Sequence, residues 1–412
     1  MRTVLLGWIG LLACCVVSAQ RDCRSFEYQQ QLIQKDPGLQ TLQNAVQNFV
    51  LLNESSRTSS NLIGKAITIP VVVHVIYHYA NENISDSMVE TQIFALNRDF
   101  GKQNPDTIKI PEAFKALAAD CGIDFQLATV DPEGRATSGI IHKYTPITKW
   151  VADDKIKFSS EMGDDGWDPT SYLNIWVGTL DKFLGYSTIP GDPSETDGVV
   201  ISNNAFGNGL AGAYSMGRTA VHEVGHWLGL KHLWGDADCG DDGVADTPKQ
   251  ETWTNGCPTG VRISCNNAPY GDMYMNYMDF TNDVCLVMFS KGQRQKMRTL
   301  FEPGGVRYSI VSSHALGTPA NSEIPPPDPS PRWLQVKIYP NPASTELIVN
   351  VESDTRWFGK ELQVVNISGQ IQLRKTITSK IQTINISQLR PGIYFIRGEK
   401  QDQKIIEKFI KL

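Results

Sequence analysis

Residues 219–234 read TAVHEVGHWLGLKHLW and hold three of the seven histidines of the 412-residue chain. On a helix His222 and His226 stand at i and i+4, so both rings leave one face. Two imidazoles placed so can hold one metal ion. Glu223, next to His222, can reach a water on that metal, which is the H-E-x-x-H pattern. Gly229 tolerates the left-handed conformation that ends a helix, and a chain turning back there delivers His232 as a third ligand. Three neutral nitrogens leave a tetrahedral zinc ion one open position. Zinc lowers the pKa of a water there to about 7, within reach of Glu223 as general base. In a chain of this composition the whole pattern arises by chance on the order of 10⁻⁵ times.

The surroundings predict an α/β domain over residues 61–317, a twisted sheet plus the active-site helix Thr219–Leu228. AITIPVVVHVIYH (66–78), IDFQLATV (123–130) and YLNIWVGTL (172–180) read as strands. Val89, Ile93, Leu96 and Phe100 recur at helical spacing, which predicts a helix over Met88–Phe100. Upstream, residues 20–60 are Gln-rich and helical, ending in the loop NESSRTSSN (53–61). Downstream, TPANSEIPPPDPSP (318–331) has six prolines in fourteen positions, so residues 318–335 form a stiff linker. Residues 336–412 lack cysteine and histidine and alternate apolar with polar in ELIVNVES, LQVVNIS and GIYFIRG. They predict a small all-β sandwich.

Residues 1–19 read as a signal peptide: Arg2, an apolar run over Val4–Val17, and Val17-Ser18-Ala19 before Gln20. The run is shorter than the roughly 20 residues of a membrane span; Leu12-Ala13-Cys14 would alternatively suit a lipoprotein site. Export leaves six cysteines, four of them at Cys239, Cys257, Cys265 and Cys285. In an oxidising compartment these form two disulfides, with three pairings open. A net charge of −6 with interspersed signs argues against a nucleic-acid partner.

The stretch 222–232 resembles the metzincin metallopeptidases at every fixed position of their signature. LNRDFGKQNPDT (96–107), DPEGRATSGI (131–140), LGYSTIPG (184–191) with DGVVI (197–201), and the cysteine cluster are similar to the pappalysin branch, with its cytophagalysin and ulilysin-like members. The resemblance implies Met278 as the methionine of a turn beneath the metal, and the pairs Cys239–Cys265 and Cys257–Cys285. It implies a protease latent until processed, with Cys23 filling the open zinc position, although Arg24 replaces the usual following glycine. Arg57 is a plausible point of activation cleavage. It further implies calcium at Asp242, Thr247 and the Ala245 carbonyl, where the bare alternative is a solvated acidic loop. Asp283 is either a lining of the pocket beyond the scissile bond or a structural aspartate. Phe280 stands where the family has a tyrosine that stabilises the transition state. Loss of one such donor costs about 10²–10³ in rate.

IYPNPAS (338–344), NISGQ (366–370), LRPGIYFIRG (389–398) and KFIKL (408–412) resemble the type IX secretion sorting domain, which implies secretion machinery as a partner and a secreted or cell-surface location. His74, His78, His142 and His314 read as core or surface residues, and Cys121 as a buried free thiol. Asn53, Asn83, Asn366 and Asn385 read as ordinary loop and strand residues. The expected function is a secreted zinc endopeptidase acting on proteins or peptides. A surface binding protein with a structural zinc, favoured by Phe280, and a hydrolase of non-peptide bonds are its rivals.

Overall fold

The computed structural model describes residues 22–55, 66–208, 212–320, 337–351, 357–400 and 403–412. The signal peptide, Arg57 and nearly all of the proline-rich linker lie outside the described residues.

The first sheet is built around β1 (Ile67–Tyr77). Nine of its eleven residues are buried, as a largely apolar run requires of a central parallel strand. Its first half pairs with β2 (Ile123–Leu127), and its second half with β3 (Ile140–Tyr144). On the other side lie β4 (Leu173–Gly178), then β6 (Val199–Ser202), with β5 (Gly185–Ser187) antiparallel on the edge. Pro70, which has no N–H, stands just before Val71, where pairing with β4 begins.

One sheet face buries Val71, Val73, Val75, Ile175 and Ile201 against α3 (Asp86–Phe100) and α4 (Arg218–Trp227). The other buries Ile76, Trp176 and Val200 with Trp150, Ile156 and Tyr28. The α3 helix starts two residues before the expected Met88, because the Ser85 hydroxyl accepts the Met88 N–H as an N-cap. Every residue of α4 is buried, and it runs one residue earlier at each end than its sequence pattern suggests.

The segment upstream of β1 forms α1 (Ser25–Lys35) and α2 (Gly38–Ser55). After α4, no helix or strand forms before Asp283. The disulfides Cys239–Cys265 and Cys257–Cys285 span this stretch, which then leads into α5 (Lys291–Thr299).

The C-terminal region is all β. One antiparallel sheet holds β7 (Lys337–Tyr339), β8 (Glu346–Asn350) and β11 (Ile381–Asn385). The other holds β9 (Glu361–Asn366), β10 (Ile371–Thr376), β12 (Gly392–Lys400) and β13 (Gln403–Lys411). Leu347, Val349 and Ile384 of the first share a core with Leu362, Val364, Ile396 and Phe409 of the second, which makes a sandwich.

Candidate active site

The α4 helix carries His222, Glu223 and His226 into the space below edge strand β5. Gly229, at φ +81°, reverses the chain, and His232 returns to the same point. The Nε2 atom of His226 lies 3.1 Å from those of His222 and His232.

Each imidazole is oriented from behind. His222 Nδ1 donates to the Tyr277 carbonyl at 2.7 Å, and His226 Nδ1 to the Leu230 carbonyl at 2.8 Å. His232 Nδ1 donates to the Asp236 carboxylate. With the protons on Nδ1, three Nε2 lone pairs converge. Burial, reinforced by His232, holds His226 down at about 3, so that ring stays neutral. Converging lone pairs without protons repel one another unless a cation lies between them, so the donor set fits a metal.

Cys23 completes the set. Its Sγ and the three histidine nitrogens all lie within 4.8 Å of one another. Main-chain pairing holds it there: Arg24 N–H donates to the Gly185 carbonyl at 3.0 Å and Leu184 N–H to the Asp22 carbonyl at 2.8 Å. Burial and then the Glu223 carboxylate push the Cys23 thiol well above its usual range, so it takes a cation to draw out the thiolate. Two residues on, the Ser25 hydroxyl donates to Glu223 Oε2 at 2.9 Å and accepts the Ser187 N–H at 2.9 Å.

The floor is Met278, fully buried. A Cβ on Gly225 would stand 2.5 Å from its sulfur, so this helix position admits only glycine without displacement. Trp234 stacks on His232 at 4.4 Å between centroids. Phe280 meets His232 edge-on at 4.9 Å and packs against Trp234 and Cys23. It brings an apolar edge where a tyrosine would bring a hydroxyl.

Asp283 is buried at the other end of α4, where its Oδ2 accepts the Met216 and Arg218 N–H groups at 2.8 and 3.2 Å. Asp242 and Thr247 are brought together: the Thr247 hydroxyl is 2.9 Å from both Asp242 carboxylate oxygens, and burial pushes Asp242 up to about 6. Ala245 beside them is exposed. His74 is a core residue, its ring between Asp164 at 2.7 Å and Asn174 at 3.1 Å and stacked on Trp176. His142 binds Asp86, His78 the Thr145 carbonyl, and His314 is exposed. Cys121 is a buried free thiol. Sequence reasoning did not single out Asp236, Ser25, Trp234 or the Tyr277 carbonyl. For Asp236, the one available signal was its place four residues after His232.

Three converging imidazoles beside a carboxylate, next to an edge strand whose outer rim pairs with the Cys23 segment, are the arrangement of a metalloendopeptidase, and known proteins agree. Residues 157–302 match the family described as pregnancy-associated plasma protein-A, and residues 337–412 a secretion system C-terminal sorting domain. An extracellular metalloprotease of Arthroderma gypseum is 31% identical over 313 residues, 73% of this chain and 90% of that one. A promirolysin mutant of Tannerella forsythia is 39% identical with a TM-score of 0.67, over 73% of this chain and all of that one. Mature mirolysin of the same organism, in complex with a cleaved peptide, is 42% identical with a TM-score of 0.61, over 63% of this chain and all of that one. The chain belongs to the pappalysin family of metalloendopeptidases. It carries a C-terminal sorting domain and is secreted or displayed at the cell surface. Among the described residues no helix is long and apolar enough to cross a membrane.

Proposed function

We propose that the protein is a zinc endopeptidase made as a latent precursor, with Glu223 as general base and Cys23 as the plug of the metal site. The convergence of three imidazole nitrogens and one sulfur carries this reading. Such an N₃S set suits zinc, which when bound polarises the scissile carbonyl and acidifies the attacking water.

The chain's own residues divide the remaining work. Glu223 Oε2 takes the proton of the attacking water and passes it to the leaving amine nitrogen. The three Nδ1 hydrogen bonds keep the rings from turning. Phe280, Trp234 and Met278 exclude water from the buried side. In the precursor Ser25 engages the oxygen of Glu223 that would accept the proton. Removal of the upstream segment, by a cut at Arg57, frees both Glu223 and the fourth metal position. The promirolysin structure matches a tenth more of this chain than the mature one does, 73% against 63%, a difference the size of such a propeptide. Asp242, Thr247 and the Ala245 carbonyl are the proposed calcium ligands, supported by the buried Asp242–Thr247 contact. The terminal sandwich is the part that secretion machinery engages.

The test is cleavage of denatured protein by the processed chain. Activity abolished by chelation, restored by zinc and absent from Glu223→Ala is expected. Full activity in Glu223→Ala would refute the assignment of the base.

A further inference from the structure

Asp192 follows edge strand β5 and is held by the segment that the precursor reading removes. Its Oδ2 accepts from Gln29 Nε2 on α1 at 2.5 Å and from Ile189 N–H at 2.8 Å. Its Oδ1 accepts from Gln43 Nε2 on α2 at 2.9 Å. The same Gln43 nitrogen donates to Gln29 Oε1 at 3.0 Å, so the two amides form one unit on the carboxylate. The α2 backbone rests here as well: a Cβ on Gly191 would stand 3.1 Å from Gln43 Cα.

Burial holds Asp192 above the usual carboxylate range, with the Ile189, Gln29 and Gln43 hydrogen bonds opposing it. Among the described residues no cation forms an ion pair with it. Lys157 acts on it only weakly, its ammonium being committed to Asp154 at 2.8 Å and to the Thr196 carbonyl at 2.7 Å.

The position relative to the cleft follows from the path of the upstream segment. Cys23 lies opposite Gly185 at the metal site, and Ser25 takes the Ser187 N–H. Ile189, which binds Asp192, is four residues beyond Gly185, about 13 Å along an extended chain. Departure of α1 and α2 removes two of the three donors and most of the cover. It leaves an ionised carboxylate with one N–H, beside the edge on which a substrate backbone lies. Two amides approaching both oxygens are replaced in kind by a guanidinium, which offers parallel N–H groups together with the missing charge.

We propose that Asp192 is a specificity-determining residue of the processed peptidase, binding an arginine side chain of the substrate three to five residues from the bond cut. This rests on the precursor reading of residues 20–60.

The experiment takes a sequence the processed full chain cuts and walks one residue along it, as arginine, as citrulline (its uncharged isostere) or as glutamate. A charged partner in place of a neutral one should raise kcat/KM about tenfold at one position within that range. Asp192→Asn should bring the arginine-to-citrulline ratio close to one, and Asp192→Lys should turn the preference toward glutamate. An arginine-to-citrulline ratio unaltered by both substitutions at every position would overturn the proposal. Fluorescence anisotropy of the same peptides on the processed Glu223→Ala chain reads the subsite without turnover. If the wild type cuts nothing while arginine peptides still bind Glu223→Ala about tenfold more tightly than citrulline peptides, the peptidase reading fails and the subsite stands. Equal binding there sinks the subsite.

Discussion

Asp236 offers a sharp test of how the metal site is built. His222 and His226 are steadied by main-chain carbonyls, which no substitution removes. His232 is steadied by a side chain, the Asp236 carboxylate. Losing such a support typically lowers metal affinity 10- to 100-fold, about 1.4–2.7 kcal/mol. The two obvious variants should separate within that range. Asp236 sits at φ +58°, a left-handed position that asparagine tolerates and alanine resists. Asp236→Asn keeps an oxygen for the Nδ1 proton and loses only the charge, so a loss of about tenfold is expected. Asp236→Ala also leaves a buried N–H without its acceptor and strains the backbone, so about 100-fold is expected. The assay is competition for zinc between the processed, metal-free chain and a chromogenic chelator at fixed pH. Processing matters, because Cys23 would otherwise contribute a ligand and hide the loss. An affinity in Asp236→Ala within twofold of wild type would refute the idea that this carboxylate holds the ring.

Other substitutions probe the plug, the floor and a buried acid. Cys23→Ala in the unprocessed, zinc-loaded chain should raise peptide cleavage at least about tenfold over the unprocessed wild type, and continued silence would remove Cys23 from the latency device. Gly225→Ala gains about 1 kcal/mol of helix propensity, but its methyl meets the buried Met278 sulfur. Overpacking costs about 1–3 kcal/mol, so Tm should fall by several degrees, and adding Met278→Ala should recover part of the overpacking loss; strictly additive losses would count against the clash. Burial pushes Asp279 up to about 6 despite hydrogen bonds from Gln250, Thr254 and Phe280. The folded state therefore binds this proton more tightly than the unfolded chain, and the stability it contributes is lost as pH rises from about 4 to about 6, a few kcal/mol at most. The Tm difference between wild type and Asp279→Asn should change across that window, and a constant difference would show that Asp279 is ionised throughout.

The proposed metal ligands His222 and His226 and the proposed base Glu223 could be read from residue order because a helix turns spacing into direction: they need only the 3.6-residue repeat. Strand β1 was legible for a similar reason, since a largely apolar run rich in β-branched residues has to be covered on both faces. The supports were not. Ser25 meets Glu223 across 198 residues, and Gln29 meets Asp192 across 163. Nothing local marks such pairs before the chain is folded. Asp236 is near His232 in sequence, yet in a stretch without periodic structure a four-residue offset has no fixed direction, and among five nearby aspartates it read as one more acidic loop residue. The complete burial of Arg218, satisfied by Asp99 and Asp106, was hidden likewise, because charged residues near a helix start normally face water.

Between Trp227 and Asp283 the chain builds no helix or strand, yet this stretch supplies Asp236, Trp234, Met278 and Phe280. Two covalent bonds do there what ladders of hydrogen bonds do elsewhere. Closing rings with separations of 26 and 28 residues takes roughly 3–4 kcal/mol of freedom from the denatured chain each. Such bonds do not persist in a reducing cytoplasm. Before export, the chain therefore has its histidine helix but lacks the crosslinks that fasten the wall around it. Oxidation is then an assembly step of the cleft, and on the precursor reading proposed above the cell that makes the protease has a second guard, its own thiols, beside the upstream helices.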